Sequence, residues 1–464
     1  MDKKTLELTN DIIGETYQEL ASQNLNSFSR QIRELLAQRR LPAEGWTDLQ
    51  IENLLLTLSQ MDTNNFQGKS GVGEREGRVF SALVKKRNYF LGHGIGRSGT
   101  VDAIQPKAPG SSLLLKITKF LVLDAIKSCS GIQFAKDCIV LPSATGIGLL
   151  LSMLALKSQK PEAEYVIWFR IDQKTCLKSI ISAGLKPIII DGVINGDAVD
   201  TNIEAIQPKI DEIGKEKILA IMTTTSCFAP RTPDKLVQVA QICKENDLYH
   251  LVNNAYGLQC SKISNALNQA KSKGRVDVVV QSTDKNYMVP VGGSIIFSSD
   301  KKLIKTISST YPGRASSSPI IDLLITMLSL GSSGLKAKYK ERKELLKYFY
   351  KKFEDLLALT GDRVLDLKQN SISIAFTVSG ILEKVGLDKG KATELGALLF
   401  KRRVMGARVV GHGKKEISGF VFTNYGSHVE DYPFLPYMTV ACSIGSEKED
   451  IDKFCDKVKS LFKN

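Results

Sequence analysis

The sequence predicts an α/β protein whose body is a mainly parallel sheet covered by helices. Three observations predict it. Between residues 138 and 298, short β-branched runs alternate with stretches of helical length, the pattern of a parallel sheet with helices on both faces. Before and after that region the alternation gives way to helical spacing and to shorter mixed patterns. At 464 residues, 43% of them apolar, the chain is long for one core and suits one large and one smaller domain.

The elements follow in chain order. In "TLELTNDIIGETYQELA" and "SFSRQIRELLAQRRLPAEGW" apolar residues recur at steps of three and four, which predicts a helical arm over residues 1–62. Pro42 and Gly45 interrupt it. Arg30, Arg33, Arg39 and Arg40 on the second segment fit either a solvated face or an arm for oligomerisation or RNA binding. Residues 63–112 hold "FQGKSGVGEREGRV" and "GHGIGRSGTVDAIQPKAPGSS". They read as too polar and too broken for core, and long loops of this kind usually carry function. The runs "CIVL", "YVIWF", "PIII", "ILAIMTT", "LYHLVNN", "VDVVVQS" and "GGSIIFS" are the expected strands. Long helices are expected over 319–358, and a small α/β domain after Gly361. The expected division is an arm at 1–62, a catalytic domain at 63–330, and a linking helix with a small domain at 331–464.

Composition narrows the function. Eight cysteines are scattered with no CxxC pair, and the four histidines do not cluster near them, so neither a metal site nor a disulfide framework is expected. No apolar run reaches the roughly 20 residues of a membrane helix, and "MDKKTLELTNDIIGE" lacks a signal-peptide core; a cytoplasmic protein is expected. Lys and Arg total 63 against 49 acidic residues, a net charge of +14. That excess fits a polyanionic partner such as RNA, or simply a basic proteome.

Ligands of such sheets bind beyond the carboxyl ends of the strands, so the residues after each run matter most. Ser143, Ala144, Thr145 and Gly146 follow "CIVL" at a strand-to-helix turn, where free N–H groups form a phosphate cup. Arg170, Asp172 and Gln173 follow "YVIWF"; Thr225 to Pro230 follow "ILAIMTT"; Asn253 ends "LYHLVN"; and "QSTDKN" brings Ser282, Thr283 and Lys285. A pyridoxal phosphate enzyme of aminotransferase type needs an early phosphate turn, a polar residue facing the pyridine nitrogen, hydroxyls for the phosphate, and then a lysine for the cofactor aldehyde. Thr145, Asn253, Ser282 or Thr283, and Lys285 meet these in order. Alone, Lys285 would read as a solvated loop lysine, and Asn253 as a packing residue. As the cofactor lysine, Lys285 is expected to be desolvated, which would lower its pKa, with the apolar residues after it shielding it from water.

The motifs "GVGEREGRV", "GRSGTVDAIQPKAPGSSLL", "RIDQKTCLKSI", "TSCFAPRTPD", "VNNAYGLQCSK", "QSTDKNYMVPVGGSII", "YPGRASSSPI" and "GARVV" together resemble the O-phosphoseryl-tRNA(Sec) selenium transferase family, the selenocysteine synthases of archaea and eukaryotes. The resemblance spans roughly residues 65 to 445. It implies a fold-type I pyridoxal phosphate-dependent subunit in a homotetramer. The implied reaction converts O-phosphoseryl-tRNA(Sec) to selenocysteinyl-tRNA(Sec), with selenophosphate as donor. Lys285 is then the lysine bonded to the cofactor, and Arg75 matches the arginine on the cofactor phosphate. Ala144, Thr145, Gln173, Asn253 and Ser282 complete the expected cofactor set. Arg97, Ser98, Gln105 and Arg314 match the residues on the substrate phosphate. Glu74 matches an acid that repels free α-carboxylates, although it could equally pair with Arg75 or Arg78. Arg402 matches a tRNA-contacting arginine. A second such arginine is missing before "GRVD", where Lys271 or Lys273 would supply the charge. The chain also stops soon after "CDKVKSLFKN", where family members can carry a longer tRNA-contacting tail.

The chemistry suits these residue types. An amide at Asn253 holds the pyridine nitrogen without charge and gives a weaker electron sink than the usual carboxylate. Phosphate is a good leaving group, so a weaker sink suffices for β-elimination. Lys285 is placed to take the Cα proton, and arginine forks suit the departing phosphate. Selenophosphate would attack the dehydroalanyl product, and hydrolysis would release its phosphate. Two other readings stay open: a pyridoxal phosphate lyase or sulfur transferase acting on free amino acids or another aminoacyl-tRNA, and a non-catalytic tRNA-binding, antigen-like scaffold. His250, inside an apolar run, reads better as a hydrogen-bonded core residue than as a catalyst. Tyr256 stays undecided.

Overall fold

The computed structural model describes residues 3–462; the expected arm's first two residues and the small domain's last two lie outside them. The arm is helical: α1 (Lys3–Glu7), α2 (Asn10–Ile13), α3 (Glu15–Gln38) and α4 (Asp48–Gln60). Thr47 and Gln50 close a reciprocal capping box at the start of α4. The glycine-rich segment holds a 3-10 turn at Thr63–Asn65 and α5 (Ala82–Arg87), and α6 (Pro109–Ser128) begins at its end. That segment is not all surface. Leu91, Ile95, Val101 and Ala108 are buried, single apolar anchors between glycine turns that a windowed reading averages away.

The body then runs β1 (Asp137–Leu141), α7 (Thr145–Lys157), β2 (Tyr165–Phe169), α8 (Lys174–Ser182) and β3 (Lys186–Ile190). A hairpin of β4 (Val193–Asn195) and β5 (Ala198–Asp200) precedes α9 (Ile206–Ile213), β6 (Ile218–Thr224), α10 (Leu236–Glu245) and β7 (Tyr249–Asn253). Next come α11 (Ser261–Lys273), β8 (Val278–Ser282), α12 (Thr283–Tyr287), β9 (Ser294–Ser298), α13 (Lys301–Thr310) and α14 (Ser318–Leu357). Every expected run is a strand. The seven strands lie in the order β1-β9-β8-β7-β6-β2-β3. All neighbours are parallel except β9, which runs against both β1 and β8. The cause is the connection over residues 283–293, too short for the crossover of a dozen or more residues that a parallel neighbour needs. Strands β6, β8 and β9 are buried at every position, as central strands covered on both faces must be.

Helix α14 bends at Gly331, whose φ is 62°. The loop at Pro42–Gly45 enters this break. The Trp46 N–H donates to the Leu328 carbonyl at 2.8 Å, and the Ser332 N–H to the Pro42 carbonyl at 2.8 Å. A Cβ on Gly45 would lie 2.0 Å from the Ser329 oxygen, so only glycine lets the two backbones meet. The arm is thereby locked to the body through groups that a broken helix would leave unpaired. By length and composition α14 is the one described helix apolar enough to cross a membrane. Its Ile320, Ile321, Leu323, Leu324, Met327 and Leu328 are buried in the main core.

The C-terminal part comprises β10 (Ser373–Thr377), α15 (Ser379–Lys384), α16 (Ala392–Lys401), β11 (Arg408–Val410), the β12 (Lys414–Ile417) and β13 (Phe420–Thr423) hairpin, β14 (Tyr437–Ala441) and α17 (Lys448–Leu461). A three-stranded sheet β10-β14-β11 and the far half of α14 enclose a second core around Phe349, Phe353, Phe376 and Leu395.

Candidate active site

The carboxyl ends of the strands converge on Lys285. Strand β8 ends at Ser282, which pairs with Ser294 of β9, and Ser294 pairs in turn with Leu141 at the end of β1. Asn253 pairs with Val280 one strand away. The five-residue α12 then lifts Lys285 from the sheet edge, and the Gln259 side chain fixes it by donating to the Lys285 carbonyl at 2.8 Å. Gly293 lets the chain return beneath this helix, because a Cβ there would lie 2.5 Å from Thr283 Oγ1.

Lys285 is exposed, which corrects the expectation that it is desolvated. Its ammonium sits 6.0 Å from the centre of the Tyr256 ring, inside a cleft of about 580 Å³ walled by Phe228, Tyr256, Met288, Ile372, Ala441 and Ser443. The shielding expected from the following apolar stretch is also corrected. Val289 is buried, but Val291 is 80% exposed.

The neighbours of Lys285 form a chain of contacts. Gln173 donates to the Ser226 carbonyl at 3.0 Å. Ser226 Oγ accepts from the Tyr256 N–H at 2.8 Å, and Tyr256 faces Lys285. Asn253 is buried, and its Nδ2 donates to Cys176 Sγ at 3.1 Å. Burial pushes the Cys176 thiol up to about 11, so it is a neutral partner. Asn253 Oδ1 has no partner, and neither has Ser143 Oγ at the mouth of α7. Helix α7 starts after Ala144 with no side-chain cap, which leaves its first N–H groups, those of Thr145 and Gly146, for a ligand. Gly146 is held close to α8, since a Cβ would lie 2.9 Å from Thr175. Ser282 is less available than expected, for its hydroxyl donates to Asp284. Thr283 Oγ1 is unpartnered but fully buried. A buried acceptor at Asn253, an uncapped helix N-terminus and a nearby lysine amine fit a phosphorylated pyridine aldehyde.

The phosphate-matching residues gather elsewhere. Ile95 and Ala315 exchange backbone hydrogen bonds at 2.9 and 3.1 Å, which joins "GRSG" to "YPGR". Arg75, His93, Ser98 and Arg314 line one open concavity of about 570 Å³. Arg314 donates to the His93 carbonyl and leaves its Nε unpartnered. Burial first, then the charge of Arg75, lowers the Arg314 pKa; no acid offsets that charge at Arg314, which favours an anion there. Glu74 sits 3.5 Å from Arg75 Nε, both largely exposed. Arg97 is exposed on the turn that pairs with Thr100. Gln105 lies behind that turn, its amide 3.5 Å from the Gly96 carbonyl. None of these five, Arg75, Arg97, Ser98, Gln105 and Arg314, lines the Lys285 cleft.

The basic residues separate as well. Lys271 Nζ donates to the Val276 carbonyl at 3.1 Å and closes the end of its own helix, whereas Lys273 is exposed. Arg402 caps the end of α16. Among the described residues, no three His, Cys, Asp or Glu side chains form a metal cluster.

Sequence reasoning named Arg170 and Asp172 without a role and missed His428. The buried Arg170 donates to Asp172 at 3.0 Å and to the Thr423 carbonyl at 2.7 Å. The Asp172 carboxylate takes the N–H groups of Gly426 and His428 at 2.6 and 2.8 Å. The Asp172 N–H donates to His428 Nδ1 at 2.8 Å. This lock ties the C-terminal part to the residue before Gln173. No spacing links 172 to 428, so no local signal could have found it. His250 is a core residue: its Nδ1–H donates to the Arg275 carbonyl at 2.8 Å, so Nε2 accepts from the Thr223 hydroxyl at 2.9 Å.

Comparison with known proteins shows the family. Residues 61–463 match the model of the family described as O-phosphoseryl-tRNA(Sec) selenium transferase. The chain is 46% identical to the O-phosphoseryl-tRNA(Sec) selenium transferase of Dictyostelium discoideum, over 100% of this chain and 99% of the relative. It superposes on the crystal structure of an archaeal O-phosphoseryl-tRNA(Sec) selenium transferase with a TM-score of 0.87 at 29% identity, over 96% of this chain and 97% of that one. The fold alone is shared with Oryza sativa TDC, solved with PLP and tryptamine, at a TM-score of 0.58 and 12% identity, over 97% of each chain. The chain belongs to the O-phosphoseryl-tRNA(Sec) selenium transferase family.

Proposed function

We propose that this chain converts O-phosphoseryl-tRNA(Sec) to selenocysteinyl-tRNA(Sec), with pyridoxal 5′-phosphate as cofactor and selenophosphate as selenium donor. One observation carries the reading. Polar groups without protein partners, Asn253 Oδ1 and Ser143 Oγ, sit with the uncapped start of α7 at the sheet end that presents Lys285. Asn253 would hold the ring nitrogen, with Gln173 beside it. Arg75, Ala144, Thr145 and Ser282 would hold the cofactor phosphate, Ser282 after releasing Asp284.

Bound pyridoxal phosphate supplies an electron sink for the charge left when the substrate Cα–H bond breaks. Lys285 takes that proton on its amine, which Gln259 and the rigid α12 keep in place. Arg314, Arg97, Ser98 and Gln105 bind the phosphate of the ester and stabilise its charge as the C–O bond breaks. Selenium from selenophosphate then bonds to the same β-carbon while the Lys285 ammonium returns the proton to Cα, and water cleaves the Se–P bond to release the second phosphate. Glu74 disfavours substrates with a free α-carboxylate. Lys271, Lys273 and Arg402 belong to the tRNA surface, with Lys273 and Arg402 freer than Lys271.

The arginine concavity and the Lys285 cleft are separate on one subunit. A second copy that sets one against the other would complete the site, which supports an oligomer built on such a pair, as the homotetramer implied by the resemblance would be. Val72, Phe80 and Leu83, all largely exposed beside the arginines, are apolar surface that such a contact would cover. We place the enzyme in the cytoplasm. We divide it into an arm at 1–62, a catalytic domain at 63–330 and a small domain at 331–464.

Purified protein should be yellow, and borohydride should fix the cofactor on the peptide containing Lys285. Colourless protein that takes up no pyridoxal phosphate would overturn the reading.

A further inference from the structure

Asn253 ends β7, and Cys176 sits in the first turn of α8, three residues after Gln173. Their side chains meet in the interior, 3% and 0% exposed, with Asn253 Nδ2 donating to Cys176 Sγ at 3.1 Å. We propose that Cys176 is a positioning residue: its sulfur holds the Asn253 amide with Oδ1 turned to the cofactor ring, and so keeps the ring nitrogen protonated. The inference rests on the proposed activity and deepens it.

A side-chain amide has a donor end and an acceptor end, and a half-turn exchanges them. The end that faces a pyridine nitrogen selects the state of that nitrogen. Oδ1 can only accept, so it favours the protonated ring. Nδ2 can only donate, so it favours the bare nitrogen. A carboxylate is free of this ambiguity, since both of its oxygens accept. Asparagine at this position therefore needs another group to fix which end meets the ring.

Cys176 is placed to be that group. The sulfur engages Nδ2, while Oδ1, also buried, has no protein partner. A buried acceptor left open is costly until a donor arrives. Thr224, the register partner of Asn253 on β6, has an unpartnered hydroxyl oxygen, which gives the S–H a place to turn other than Oδ1. Burial raises the Cys176 pKa to about 11, and the Asn253 amide and the Thr224 hydroxyl offset that rise only in part. The thiol stays neutral and adds no charge of its own. Two ions, Asp234 and Lys285, weigh on it less than these neutral groups do, and Asp234 is already paired with Arg231. A fully buried, neutral thiol is inert as a nucleophile, which leaves it the role of a hydrogen-bond partner.

The test loads the full-length enzyme with pyridoxal phosphate labelled at the ring nitrogen and follows the NMR shift of that nitrogen as pH is raised. In wild type the ring should keep its proton to a pH about one unit above that of pyridoxal phosphate joined to a simple amine in water. Cys176→Ala frees the amide to turn. It should lower the midpoint by about one unit, a tenfold change in the protonation equilibrium, and lower kcat with KM unchanged. Cys176→Ser restores an acceptor for Nδ2 and should recover most of both, with circular dichroism checking the fold of each variant. The wild-type titration stands without any variant: a ring nitrogen that has lost its proton as early as in water overturns the proposal. So does a Cys176→Ala midpoint equal to that of wild type, or a Cys176→Ser midpoint as low as that of Cys176→Ala. Cofactor uptake and turnover of phosphoseryl-tRNA by the same wild-type preparation separate the two readings. Turnover with a midpoint that Cys176→Ala leaves unchanged removes the positioning role and leaves the activity standing, whereas wild type that takes up no cofactor removes both.

Discussion

Asn253→Asp isolates what the neutral amide does. The substitution keeps the shape and adds a charge at a position 3% exposed, where the amide's one protein partner is the Cys176 sulfur and Oδ1 has none. The unpartnered Thr224 hydroxyl on the neighbouring strand falls short of the two or three donors a buried carboxylate needs, and Cys176 stays a neutral thiol. Burial of this kind raises a carboxyl pKa by about 3 units, from about 4 to about 7. The sign follows. Below the unfolded pKa both states are protonated and the substitution costs little. As pH rises towards the folded pKa, the unfolded chain gives up its proton and the folded one does not. The cofactor-free variant should therefore lose about 1.5 kcal/mol at pH 5 and about 4 kcal/mol at pH 8 relative to wild type. Urea unfolding at the two values measures the difference. Pyridoxal phosphate should restore most of the loss, because a protonated ring nitrogen is the missing partner. A cofactor-free variant as stable as wild type at pH 8, or a loss equal at pH 5 and pH 8, would refute the placement of Asn253 in an unsatisfied acceptor site.

Other outcomes follow from the same geometry. Arg314→Gln should lower kcat/KM for the phosphorylated substrate by about a hundredfold, with cofactor absorbance unchanged. Gly293→Ala should destabilise by about 1–3 kcal/mol, because its Cβ would meet Thr283 Oγ1 at 2.5 Å; adding Thr283→Ala should recover much of the loss in chemical denaturation. Burial pulls His250 down to about 4 and His428 to about 3. Their neutral forms cost nothing above pH 6.5, and stability should fall as pH drops from there towards 4, by about 3 kcal/mol for His250 alone. His250→Gln should flatten that part of the stability–pH profile.

The sequence made the sheet legible because its strands are buried on both faces and therefore read as uninterrupted apolar runs. "ILAIMTT" and "VDVVVQS" needed no context. Asn253 and Lys285 were legible from order along the chain, since each ends or follows such a run. The antiparallel β9 was not, because a run buried on both faces carries no sign of its direction. Chain length decided it, through the short connection after Ser282. The exposure of Lys285 was invisible for a related reason: a cleft open between two cores depends on where residues 372 and 441–445 fold back, 87 to 160 positions further along the chain. The Arg170–Asp172–His428 lock and the insertion of Pro42–Gly45 into the bend at Gly331 are long-range in the same sense. Arg75, Ser98 and Arg314 were named from motifs, but their meeting depends on two backbone hydrogen bonds between Ile95 and Ala315 that no pattern announces.

The central claim is tested most directly by supplying purified enzyme with O-phosphoseryl-tRNA(Sec) and selenophosphate and identifying the amino acid on the tRNA. Wild type should yield selenocysteinyl-tRNA, and Lys285→Ala should yield none while binding the tRNA as tightly. Unchanged phosphoserine on the tRNA with cofactor-loaded wild type, or selenocysteine formed equally well by Lys285→Ala, would contradict the account.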